Sequence, residues 1–171
     1  MGKLSRGLIN NEITNVMKKN FSFRFLFELA AVVSIVFSIV WEIDVRIKKN
    51  EWDQKVVTLE ALDVDPSVGE FDFNKNYKLN ELIEYFNNNP SHYKDFINVF
   101  NYYNKLGVGL KTGIYHIEIL DQSKGGLIIR RYERFQSYIN YRRIKTPLAW
   151  KEYEYLVNKI IDYKKEQIQY D

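Results

Sequence analysis

The densest set of chemically capable side chains is RRYERFQSYINYRR, residues 130–143. Arg130, Arg131, Arg134, Arg142 and Arg143, with Lys145 just beyond, surround Tyr132, Tyr138 and Tyr141. A guanidinium is a planar fork of donors that fits two phosphate oxygens at once. A tyrosine face can stack on a base. Together they suit an anionic ligand: a nucleotide, a nucleic acid, or phospholipid head groups beside a membrane. Arg130 and Arg134 are four apart and share a face of any helix built here. Against this stands the ordinary behaviour of a charge run, which is to be a solvated surface, here with Glu133 as local partner.

Other chemistry is sparse. The two histidines, His92 and His116, lack the further His or Cys that a zinc site needs. There is no Cys, which excludes disulfides, thiolate metal sites and cysteine nucleophiles. LGVGLKTG, from Leu106 to Gly113, holds a Lys-Thr pair, but its glycines lack Walker spacing. Asp63 and Asp65 open like a calcium loop. Val68 then takes the place of the required Gly, and Asn74 that of the bidentate Glu. No nucleophile elbow is present. The reading is of a protein without catalysis, cofactor or metal. Its net charge of +3 is too small to argue nucleic-acid binding from the total alone.

The elements that must position the basic stretch begin with an apolar run. RFLFELAAVVSIVFSIVWEIDVRIKK spans Arg24 to Lys49. Its uncharged portion, Leu29 to Trp41, has 13 residues, short of the about 20 that cross a bilayer. Three features favour a membrane span over a buried helix of a soluble bundle. The middle is apolar on every side. Arg24 can pair with Glu28 four residues on and snorkel to head groups. Phe21, Phe23 and Phe25 at one end and Trp41 at the other resemble interfacial belts. Large and charged residues follow, so an uncleaved anchor fits better than a signal peptide. Ala30, Ser34 and Ser38 form a small-residue stripe suited to self-association in the membrane. Basic residues flank both ends equally, so loop charge does not orient the span. The Cys-free, Arg-rich C-terminal part is assigned to the cytoplasmic side.

The reading therefore divides the chain into a basic N-terminal segment (1–20), a transmembrane helix (21–43), a stalk and acidic linker (44–75) and a helical soluble domain (76–171). The stalk helix is expected to reach about Leu62. DVDPSVGEFDF then reads as a solvated acidic linker, with no Lys or Arg from Val56 to Asn74. Beyond it, Leu79, Leu82, Ile83 and Phe86 mark one helix face, and Phe96, Phe100, Tyr103 and Leu106 another. Asn89-Pro90 and Thr146-Pro147 read as cap-plus-Pro helix starts. Gly107, Gly109 and Gly113 read as a loosened helix end. IYHIEIL reads as one or two helical turns or a strand, closed by Gly125-Gly126. One helix is expected from Leu127 to Arg143. A last one from Leu148 to about Lys165 has Trp150, Tyr153, Val157, Ile160 and Ile161 inward. The fold class is all-α: one N-terminal transmembrane helix continuing into a stalk, then a bundle of four or five helices.

The segment from roughly Phe96 to Ile160 resembles the DUF4760 family. The residues that carry the resemblance are Asn101-Tyr102-Tyr103, Gly113, Tyr132, Arg142 or Arg143, Pro147 and Tyr153 to Leu156. The resemblance implies a small bacterial protein with an N-terminal membrane segment and a helical C-terminal part. It implies no reaction, cofactor or catalytic residue. An acidic residue common in the family pattern is Asn104 here. The expected partners are the lipid bilayer, a second copy through the span, an anionic lipid or nucleotide, and a protein of unspecified kind. The expected role is that of a membrane-anchored sensor, scaffold or effector working through protein contacts. The alternatives are a sensor that binds an anionic ligand through the arginines, and a soluble bundle with the apolar run as its core.

Overall fold

The computed structural model describes the backbone of residues 4–63, 66 and 69–170, and side chains for 25, 28–63, 66 and 69–169. All regular structure among them is helical: α1 (Leu4–Asp63), α2 (Leu79–Asn88), α3 (Pro90–Lys111), α4 (Ile117–Leu120), a π-helical turn (Asp121–Gly125), α5 (Gly126–Arg134), α6 (Gln136–Lys145) and α7 (Lys151–Tyr170). The chain forms two compact units, Met1–Lys49 and Asn50–Asp171.

In the first unit the apolar run is helical and its described side chains are exposed. Ser34 Oγ donates to the Ala30 carbonyl and Ser38 Oγ to the Ser34 carbonyl, both at 2.8 Å. The hydroxyls thus fold onto their own helix and leave a narrow stripe. Past Trp41, i,i+4 ion pairs of Arg46 with Glu42 and Lys48 with Asp44 give the helix a water-facing character. Among the described residues, no helix is long and apolar enough to cross a membrane. The expected span at 21–43 includes side chains 21–24, 26 and 27, which lie outside the described residues. So do the interfacial Phe21 and Phe23 and the expected pairing of Arg24.

The second unit is built on aromatic packing. Phe96, Phe100 and Tyr103 of α3 are fully buried, as are Tyr153, Leu156 and Ile160 of α7. Their rings meet edge to face: Phe100 and Tyr153 have centroids 5.4 Å apart with planes at 82°, a geometry the ring quadrupoles favour. Leu82 and Phe86 bury the amphipathic face of α2. The inner faces expected for these three helices are the observed ones.

Four expectations need correction. First, the compact unit begins at Asn50, well before 76. Thr58 and Leu62 are buried. Thr58 Oγ1 accepts from the His116 N–H at 2.8 Å, and Gln54 donates to the Gly113 carbonyl at 2.7 Å. The C-terminal end of α1 is therefore part of the packed unit and not a free stalk. Second, the acidic linker is not solvated throughout. Phe71 and Phe73 are 1% and 3% exposed and stand edge to face at 4.7 Å. They plug the aromatic core, while the acidic residues around them mask that role in the sequence.

Third, of the five glycines expected to loosen or close helices, Gly113 does so and the other four lie within helical structure. Gly107 and Gly109 stay inside α3. A Cβ at Gly107 would lie 1.9 Å from the Glu152 carbonyl oxygen, so Gly there lets the start of α7 approach. Gly113, at φ 72°, takes the chain out of α3. Gly125 and Gly126 are helical. Fourth, the helix expected from Leu127 to Arg143 is broken at Phe135 (φ −106°, ψ 13°). Pro147 starts a turn rather than a helix: α7 begins at Lys151, after Trp150 at φ 50°. At Asn89 the cap-plus-Pro reading holds in part. Pro90 does start α3, but the Asn89 amide donates to the Tyr85 carbonyl at 2.8 Å and closes α2.

Candidate functional site

The break at Phe135 divides the basic stretch between α5 and α6 and sends its arginines to different places. Arg131 is 7% exposed. Its Nη1 donates to the Tyr103 hydroxyl at 2.6 Å, and its guanidinium lies 4.6 Å from the Phe73 ring centroid. Its Nε is buried without a hydrogen-bond partner. Arg134 Nη1 donates to the Phe73 carbonyl at 2.6 Å. The two residues together clamp the Phe73 loop onto the core. Arg143 holds the turn before α7. It donates to the carbonyls of Ala149 at 3.0 Å and Trp150 at 3.3 Å, and pairs with Glu154 at 2.9 Å. Arg130 and Lys145 are exposed and Arg142 is half-buried. Arg130 lines a shallow depression with Tyr77 and Asn76. Arg142 lines another with Tyr93, Tyr138 and Tyr141. The six cations do not converge on one pocket.

The nearby tyrosines are held neutral. Burial raises the Tyr132 pKa; Glu154 adds to the rise and Arg143 opposes it. Burial, then the neighbouring Tyr93, pushes Tyr138 up. Tyr153, which donates to the Ile128 carbonyl at 2.8 Å, is raised well above the ordinary value, again chiefly by burial. These hydroxyls serve as fixed hydrogen-bonding groups.

A larger cleft, about 630 Å³, lies along α3, lined among others by Asn98, Asn101, Tyr102, Asn104, Lys105 and Tyr115. Two of these side chains carry structural loads. Asn104 Oδ1 accepts from the backbone N–H groups of Glu152 and Tyr153, both at 3.1 Å. It caps α7 from another helix. Asn101 Oδ1 accepts from the Trp150 indole at 3.0 Å. The cleft combines apolar surface from Ala61, Pro66 and Leu106 with amides, hydroxyls and one lysine, and none of its lining residues forms a nucleophile-base pair.

Sequence reasoning missed one further array. His92 Nε2 donates to Glu70 Oε2 at 2.9 Å, and Nδ1 is hydrogen-bonded to the Tyr85 hydroxyl. The array ties the loop after α1 to α2 and α3, and its members are too far apart in sequence to form a motif.

A family model described as a domain of unknown function, DUF4760, matches residues 29–160 of the 171. The chain belongs to the DUF4760 family. No curated protein and no solved structure matches it. The DUF4760 segment begins at Leu29, inside the apolar run, and ends at Ile160 on the buried face of α7. It contains the Asn104 cap, the Arg131 and Arg134 clamp and the Arg143 turn.

Proposed function

We propose that this DUF4760 protein is membrane-anchored. In this reading α1 holds the chain in a bilayer through residues 21–43. The unit Asn50–Asp171 then works through contacts with other proteins, as sensor, scaffold or effector, with no catalytic step. The observation that carries the reading is the exposure of the apolar run. Every large hydrophobic side chain that is described from Leu29 to Ile47 is exposed, from 48% at Val45 to 67% at Phe37. Contiguous apolar surface of this extent is rare on a protein in water, and a bilayer covers it. The 13 uncharged residues become 23 when Phe21 to Ile43 is counted, which reaches spanning length. The reading also has copies associate through Ala30, Ser34 and Ser38, and has the C-terminal unit on the cytoplasmic side. A C-terminal reporter fusion that reads active only outside the cytoplasm would reverse that orientation.

Alkaline extraction of membranes from cells making the full chain tests the anchor. The chain is expected to stay in the pellet after high-speed centrifugation; its appearance in the supernatant defeats the reading. The alternative, capture of a nucleotide by the arginine stretch, has less support. Arg131, Arg134 and Arg143 are already engaged by Tyr103, Phe73, Ala149, Trp150 and Glu154.

A further inference from the structure

The connection between α6 and α7 joins exposed aliphatic surface to unbalanced positive charge. Ile144 and Leu148 are 80% and 71% exposed, and Ile144 is the most open large hydrophobic among the described residues. From Gln136 to Lys151 the chain carries Arg142, Arg143, Lys145 and Lys151 and no Asp or Glu. Arg143 is turned onto Ala149, Trp150 and Glu154, whereas Lys145 and Lys151 are exposed. The turn is also firmly built. The Thr146 N–H donates to the Arg142 carbonyl at 3.0 Å and the Ala149 N–H to the Thr146 carbonyl at 2.9 Å. The Trp150 indole is fixed by Asn101.

We propose that this turn is a membrane contact in its own right. Ile144 and Leu148 enter the head-group region of an anionic bilayer, and Lys145, Lys151 and Arg142 face its phosphates. Apolar area and basic charge on one small element are the two contributions that add up in interfacial binding. A free nucleotide would use the cations and leave both aliphatic side chains in water, so the pair favours lipid. The ordered turn presents them without an ordering cost at the moment of contact. This contact goes beyond anchoring by α1 and does not depend on it.

The absence of Cys allows one environment-sensitive fluorophore to be placed at Ile144→Cys, at Leu148→Cys, or at the exposed control Ser91→Cys. The full-length labelled chain is incorporated into phosphatidylcholine vesicles with and without phosphatidylserine. Emission from positions 144 and 148 is expected to shift to the blue and to be quenched by lipid-borne spin labels when phosphatidylserine is present, while position 91 stays aqueous. Lys145→Gln and Lys151→Gln are each expected to lower the bound-to-free ratio of the turn about fivefold. Labels at 144 and 148 that behave like the control in both vesicle types overturn the proposal. So does a blue shift that follows protein density and ignores phosphatidylserine, which would mark a contact between copies. If α1 does not anchor the chain, the same labels are read after mixing chain and vesicles, so the two failures are distinguishable.

Discussion

Asn104 illustrates what a single side chain does in this fold. The turn before α7 has Trp150 at φ 50°, and the first N–H groups of α7 are satisfied from α3, by Asn104. A helix start without such an acceptor loses about 1–2 kcal/mol. Asn104→Ala is expected to cost that much in urea denaturation. Asn104→Asp keeps the acceptor and adds a charge that suits a helix N-terminus, so it should match or exceed the parent. An Asp variant as unstable as the Ala variant would refute the cap. Tyr153 gives a pH prediction. Its pKa is raised in the folded state, so ionisation favours the unfolded chain. Its contribution is complete below about pH 10 and is lost as pH rises beyond. Denaturation at about pH 8 and about pH 11 should show that loss, and Tyr153→Phe should shrink it. Identical losses in both proteins would contradict the assignment. The roles of Arg131, Arg134 and Arg143 were not legible beforehand. Spacing tells which face a charge shares, but Tyr103 and the Phe73 carbonyl are distant in sequence.

At the scale of elements, α2, α3 and α7 were legible because their apolar residues repeat at helical spacing over whole turns. The acidic loop was not, because two phenylalanines among four acidic residues look solvated until the core they fill exists. The Phe135 break and the Pro147 turn were hidden for a related reason. Local spacing favoured continuation in both places, and at the Pro147 turn the contacts of Arg143 with Ala149 and Trp150 hold the chain otherwise. For α1 the prediction concerns the stripe of Ala30, Ser34 and Ser38. The serine hydroxyls bond to their own helix, so the stripe is small rather than polar, and close packing is the means by which the proposed association would work. Ala30→Leu should weaken association several-fold in a membrane two-hybrid reporter. Unchanged signal would remove the stripe from the account.

The whole molecule combines a helix with an exposed apolar run and a packed aromatic unit that begins at Asn50. All-α architecture and family were legible in the sequence, and the boundary of the packed unit was not, because Thr58 and Leu62 lie in a helix whose charges read as a stalk. The central claim is that residues 21–43 lie in a bilayer. Because the chain has no Cys, single cysteines along 21–49 can be tested in native membranes with a water-soluble maleimide. The account predicts a continuous protected block of about 20 residues centred near Val32, with full labelling from Arg46 onward. Labelling throughout Leu29 to Trp41, or protection that recurs only with helical periodicity, would contradict it.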